Sequence, residues 1–260
     1  MERAGGKVIG IIGGVGPYAG LDITRKIFDQ TIAKTDQAHL NVVLCSFPSS
    51  IPDRTGYLLG GKGIENPARG LFNVARALER AGAEVLGIPC NTSHSPEIFG
   101  RFRRMLSRAG SGLDVLNMIE ETALFVSRHY PHIREVGVLC TTGTAQSDIY
   151  GRALAVFGIK VLYPDAKAQR ENVHKAIYDL QFGIKAFWSP VTETAVKKMR
   201  EAALHLKRKG VQGIVLGCTE IPLALADTSF LGLPSIDPTL ILARALIRST
   251  APRRLKKFNL

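Results

Sequence analysis

The 260-residue sequence predicts an α/β protein of two pseudo-symmetric lobes, each a parallel sheet flanked by helices. Three observations predict it. Short apolar runs alternate with longer stretches of helical period, the order that builds parallel sheets. Two of those runs end alike, Ile88-Pro89-Cys90-Asn91-Thr92 and Leu216-Gly217-Cys218-Thr219. The halves also keep step: Ile9-Gly10-Ile11-Ile12 with Gly16 matches Val136-Gly137-Val138-Leu139 with Gly143 at an offset of 127 residues, and the two cysteines are offset by 128. A block repeated at a constant interval argues for internal duplication. The first lobe is expected over 1–115 plus 228–260 and the second over 116–227.

Taken in order, 7–12 reads as a buried strand followed by the turn Gly13-Gly14-Val15-Gly16-Pro17. A helix over 17–33 follows, with Pro17 in the first turn, where its missing N–H costs nothing. Strand 41–45 leads into a Pro- and Gly-punctuated segment, 46–63, long enough to be a functional loop. Helix 66–81 stops at Gly82, a left-handed C-terminal residue by type. The strand to Cys90 precedes a basic helix ending near Arg108. The second half repeats the plan with helix 117–129, strand 135–140, a turn at Thr141-Thr142-Gly143-Thr144, helix 145–157 and strand 159–163. A variable segment, 164–192, carries Tyr178, Lys185 and Trp188. Helix 193–209 then feeds the strand to Cys218, and a last helix over 238–249 returns to the first lobe.

Composition narrows the function classes. A hydrophobic content of 45% supports a large core. The first seven residues carry no apolar signal segment, and no apolar run approaches the roughly 18 residues of a membrane span. A soluble, cytoplasmic protein without a membrane partner is expected. Four cysteines in a chain of this length do not form a disulfide framework, so reduced thiols are expected. The net charge of +12 is spread over Arg101-Phe102-Arg103-Arg104, Lys207-Arg208-Lys209 and Arg253-Arg254-Leu255-Lys256-Lys257. No interleaved aromatic pattern or zinc-finger spacing accompanies these clusters, which read as solvated helix faces and a tail rather than a nucleic-acid surface.

Gly14-Val15-Gly16-Pro17-Tyr18-Ala19 fits a loose dinucleotide-binding pattern. Strand 41–45 ends Cys45-Ser46-Phe47-Pro48, without the carboxylate that such a site places there, and Pro17 removes an amide. The turn at Gly14 retains backbone N–H groups suited to a carboxylate. Cys90 and Cys218 have a more specific use. Inverting a stereocentre beside a carboxylate requires proton removal on one face and proton delivery on the other, and two thiols supply both. Asn91, Thr92 and Thr219 are the neighbouring donors that help a thiol reach thiolate. Cys45 and Cys140, outside the repeated contexts, read as packing residues. His94 is open between a packing or capping group and a proton shuttle.

Ile12-Gly13-Gly14-Val15-Gly16-Pro17, Pro52-Asp53-Arg54-Thr55, Pro89-Cys90-Asn91-Thr92-Ser93-His94 and Leu216-Gly217-Cys218-Thr219-Glu220-Ile221-Pro222 resemble the cofactor-independent aspartate/glutamate racemase family. The similarity is to its aspartate racemase and broad-specificity branch. Glutamate racemases have Asp-Ser in the first turn and His after the second Cys-Thr, where this chain has Gly13-Gly14 and Glu220; Gly20 stands where the family often has Thr. The resemblance implies a homodimeric enzyme without metal or pyridoxal phosphate, its site in a cleft between the lobes. It further implies Cys90 and Cys218 as the acid/base pair and Arg54 as a carboxylate clamp, a role that suits the bidentate guanidinium. A lysine for the substrate's side-chain carboxylate maps to Lys185, with Gln181 the alternative occupant and a neutral or basic substrate its consequence. A different reaction of the same architecture, a maleate-isomerase-like or decarboxylase-like use of a cysteine, is the second reading, and a basic nucleic-acid-binding module the third.

Overall fold

The computed structural model describes residues 6–225 and 229–258. The boundary expected at 227/228 and residues 1–5 of the expected N-terminal segment lie outside them. The chain divides into two compact units, one of Met1–Thr122 with Thr239–Leu260 and the other of Ala123–Pro238.

The first unit contains β1 (Ile9–Gly13), α1 (Pro17–Gln30), β2 (Val42–Ser46), α2 (Arg54–Leu58), α3 (Ala68–Arg80), β3 (Val85–Gly87), α4 (Arg101–Arg108), β4 (Asp114–Val115) and most of the first turns of α5 (Met118–His129). Its sheet runs β2-β1-β3-β4, all parallel. Alternation along β1 sends Ile9 and Ile11 to one face and Ile12 to the other. Ile9 and Ile11 pack with Ile23 and Ile27 of α1 and with Leu242 and Leu246 near the C-terminus. On the opposite face Ile12 packs with Leu71, Val74 and Leu78 of α3 and with Phe102 and Leu106 of α4. This makes three layers. The basic C-terminal tail is docked rather than free: Ile32 donates to the Arg254 carbonyl at 2.7 Å, and Lys256 N–H to that of Gln30 at 3.0 Å. Arg101, Arg103 and Arg104 are exposed, as a solvated helix face requires.

The second unit contains β5 (Glu135–Cys140), α6 (Thr142–Gln146), α7 (Ile149–Ala155), β6 (Lys160–Leu162), α8 (Ala166–Ala168), α9 (Lys175–Tyr178), α10 (Glu193–Arg208), β7 (Ile214–Gly217), α11 (Ile221–Ala224), β8 (Ser229–Phe230) and β9 (Leu233–Ile236). Then α12 (Pro238–Thr250) returns the chain to the first unit. Strands β6-β5-β7-β9 are parallel and repeat the order of the first sheet, with β8 added antiparallel at the edge. Because β9 pairs with β7, the return falls at Thr239, later than residue 228. Leu139, Ile214 and Leu216 pack on Met199, Ala202, Ala203 and Leu206 of α10 and on Val173, Ala176 and Ile177.

Several elements differ from the sequence expectation. The segment 46–63 holds α2, capped by Asp53, whose side chain accepts the Gly56 N–H. The helix expected over 145–157 is split at Asp148, which adopts a left-handed φ of 46°. Residues 166–178 are helical, with a π turn over Gln169–His174 between α8 and α9. Among the described residues no helix is long and apolar enough to cross a membrane.

Candidate active site

In each sheet the chain leaves the second strand of the order toward one edge and the third toward the other. Open α/β sheets bind ligands at the carboxyl ends of such a strand pair, where the winding reverses. In the first unit these are β1 and β3, so the loops concerned are the Gly14 turn and the Cys90 segment. In the second they are β5 and β7, which place the Thr141 turn beside the Cys218 segment.

Gly14 adopts φ +75°, and a Cβ there would meet the Phe47 and Pro48 backbone at 2.8 Å. Gly14→Ala is therefore expected to cost about 1–3 kcal/mol of stability through strain at a positive φ, read as a lowered thermal midpoint. The adjacent Val15 carbonyl accepts Arg54 Nη2–H at 2.7 Å, and the Pro52 carbonyl accepts Nη1–H at 3.4 Å. Arg54 is only 9% exposed. Its side chain thus ties α2 to the Gly-rich turn. Asn66, which the sequence reading passed over, joins the same wall: it donates to the Tyr57 hydroxyl at 2.8 Å and the Glu97 carbonyl at 3.2 Å.

Cys90 is extended and buried at the end of β3, before a 3-10 turn over Asn91–His94. Asn91, Thr92, Ser93, His94 and Ser95 are all buried, an unusual density of polar groups for a chain interior. His94 explains how the turn is held. Its Nδ1 lies 2.9 Å from the Cys90 carbonyl, and its Nε2 accepts the Met118 N–H at 3.3 Å. That pairing fixes the neutral tautomer with the proton on Nδ1. Burial lowers its pKa to about 4, against smaller opposing backbone hydrogen bonds. His94 is a positioning group for the Cys90 turn.

A pH dependence follows. Between about pH 4 and 6.5 the unfolded histidine binds a proton that folded His94 does not. Stability is complete above about 6.5 and falls as pH drops toward 4, by about 3 kcal/mol at full protonation. Urea midpoints are expected to fall over this window, and His94→Gln is expected to flatten the fall.

In the second unit Gly217 packs against β5, where a Cβ would come within 3.0 Å of Cys140 Cβ and Val138 Cγ1. The close approach sets Cys218 immediately beyond the sheet, buried to the same degree as Cys90 at 6% exposure. Cys218 Sγ–H donates to Glu220 Oε2 at 2.9 Å, and the Thr219 hydroxyl reaches the same oxygen at 3.3 Å. The Lys185 ammonium pairs with Glu220 Oε1. Lys185 also lies 5.7 Å from the Tyr178 ring centre, Tyr178 stacks on His174 at 4.8 Å, and His174 Nδ1 is 3.4 Å from the Thr142 hydroxyl. The backbone fixes Lys185: Ile184 N–H donates to Ala176 at 2.8 Å and Lys185 N–H to Ile177 at 3.1 Å. Of the two candidates, Lys185 is the one whose side chain bonds Glu220, the hydrogen-bond partner of Cys218.

Electrostatics follow from this contact set. Burial pushes the Cys218 thiol well above its ordinary value; the Glu220 carboxylate pushes the same way and Lys185 against. Burial alone would lower Lys185, but Glu220 outweighs it and holds the ammonium above its usual range. All four cysteines are free thiols. Burial also raises the Cys45 and Cys140 thiols above their ordinary value. Among the described residues no group of three or more His, Cys, Asp or Glu is placed to hold a metal ion.

The profile of the Asp/Glu/hydantoin racemase family matches residues 12–246. The fold is similar to that of the Picrophilus torridus aspartate racemase, at 30% identity and a TM-score of 0.78 over 97% of each chain. It is also similar to a putative Asp/Glu racemase from Yersinia pestis, at 28% identity and a TM-score of 0.69 over 94% of this chain and 98% of that one. The broad-specificity amino-acid racemase RacX of Bacillus subtilis (strain 168) is 25% identical over 64% of this chain and 68% of its own. The chain belongs to the Asp/Glu/hydantoin racemase family, a family of isomerases.

Proposed function

We propose that this protein is a cofactor-independent amino-acid racemase that inverts Cα of aspartate, glutamate or a related amino acid, with Cys90 and Cys218 as the acid/base pair. The observation that supports it most is the equivalence of the two thiols. Each is buried, each follows the third strand of an identically ordered parallel sheet, and each lies at the point where the winding reverses. Similarity to the Picrophilus aspartate racemase favours a dicarboxylate substrate; similarity to the broad-specificity enzyme widens the class.

The chemistry asks for little else. One thiolate removes the Cα proton, and negative charge spreads into the adjacent carboxylate. Arg54, the N–H groups of the Gly14 turn, Asn91, Thr92 and Thr219 are the donors this reading assigns to that charge. The second thiol returns a proton to the other face. Lys185 carries the positive charge suited to a side-chain carboxylate, which would share the ammonium with Glu220.

The test is incubation of the purified protein, without added cofactor, with L- and D-amino acids, read by chiral chromatography. One pair is expected to converge on equal amounts from either side, because enantiomers have the same free energy. Absence of conversion across the panel, with reduced thiols and folded protein, would overturn the proposal.

A further inference from the structure

The two cysteines have equivalent places but different company, and the difference lies in Glu220. We infer that Glu220, held by Lys185, shares one proton with Cys218 and so serves as the local partner that makes and unmakes its thiolate. The inference rests on the two-cysteine reading above and adds a group to it.

The geometry is a short chain. Cys218 Sγ stands 2.9 Å from Glu220 Oε2, within reach for direct proton transfer, and the other carboxylate oxygen faces the Lys185 ammonium. Glu220 opens the turn that begins α11, and the N–H of Ile221 is bonded to the Cys218 carbonyl at 3.0 Å, so donor and acceptor ride on one rigid turn. Charge then decides the protonation states. A thiolate and a carboxylate 2.9 Å apart repel, so the pair holds one proton between them and titrates as a unit. In the resting form the proton is on sulfur and the carboxylate is answered by Lys185. Transfer breaks the S–H bond and forms an O–H bond on Glu220, leaving thiolate, neutral carboxyl and unchanged ammonium. No net charge is created, and the Lys185 charge then stabilises the thiolate. In the acid direction the thiol gives its proton to the Cα carbanion and the pair regains one from the next substrate or from solvent.

Among the described residues the titratable groups around this pair are Lys185, Tyr178, which lies under the ammonium, and His174, which stacks on Tyr178. Of the charged helix α10, Lys198 points elsewhere, donating to the Glu171 carbonyl at 3.0 Å. Among the described residues no carboxylate is hydrogen-bonded to Cys90, whose carbonyl instead holds His94.

The test reads the thiol itself and needs no substrate. Wild type, Glu220→Gln and Lys185→Met are alkylated with iodoacetamide across pH, and the Cys218 and Cys90 peptides are quantified separately by mass spectrometry. Removing the carboxylate is expected to move the Cys218 midpoint down by at least about one pH unit, a tenfold gain in thiolate at a given pH, and removing the ammonium to move it up by a similar amount. The Cys90 midpoint is expected to stay in place, which also reports an intact fold. In racemisation, Glu220→Gln is expected to lower kcat/KM by about 10–100-fold, equally for both enantiomers, with partial rescue by Glu220→Asp. A Cys218 midpoint that neither variant moves, or that both move alike, overturns the shared proton. If wild type exchanges no Cα proton yet the midpoints shift as stated, the racemase reading fails and the shared proton stands.

Discussion

Cys90→Ala and Cys218→Ala are each expected to lower the rate of racemisation by at least about 10³-fold, the upper part of the range for removing a positioned acid or base. The change removes one sulfur from a buried site and leaves no charge unpaired at Cys90, so the fold is expected to survive; circular dichroism and thermal midpoints check that. The two variants are expected to differ from each other in a telling way. Each retains one thiol, and that thiol can still exchange the Cα proton of the one enantiomer that faces it. In D2O, slow Cα exchange without inversion is therefore expected for opposite enantiomers in the two variants. Full racemase activity in either variant would contradict a two-cysteine scheme.

Arg54→Lys is expected to lower kcat/KM by about 10–100-fold, the equivalent of one charge-assisted hydrogen bond at 1.5–3 kcal/mol. Lysine keeps the charge but loses the planar fork, which here already spends donors on the Val15 and Pro52 carbonyls. A carboxylate clamp predicts a rise in KM across all substrates, because every amino acid carries the α-carboxylate. A merely structural Arg54 predicts a lowered thermal midpoint with KM unchanged. Steady-state kinetics beside a melting curve separates the two.

The fold was legible because the central sheet strands are short apolar runs and several intervening helices end at a glycine, such as Gly82 and Gly210. The duplication was legible because β1 and β5 keep their Gly spacing. Other elements left weak signals. β4 is two residues long, Asp114–Val115, too short for any alternation to register. In 164–178 the buried Gln169, Val173, Ala176 and Ile177 keep helical spacing, but Gln169 is polar, so only three apolar positions mark the face in the sequence. The left-handed Asp148 carries no marker in its residue type strong enough to split a helix.

For the site, the cysteines and Arg54 stand in motifs that sequence alone singles out. Glu220 was visible as a departure from a histidine but had no chemistry attached, because its partner Lys185 lies 35 residues away and only the docking of 179–187 onto α9 brings them together. Asn66 offered one readable signal, an Asn-Pro pair before a helix. His94 was undecidable from sequence, since its role depends on the Met118 N–H that accepts no pattern argument.

The most direct measurement of the two-cysteine claim is the early time course of racemisation in D2O, starting from one pure enantiomer and read by proton NMR after chiral separation. A thiol holds a single proton, and with two thiols the product receives its proton from a different group than the one that took the substrate's. The account predicts that the first product formed carries deuterium at Cα while the remaining substrate still carries hydrogen, from either enantiomer. Product that retains the original Cα hydrogen would show one group serving both faces and would contradict the account.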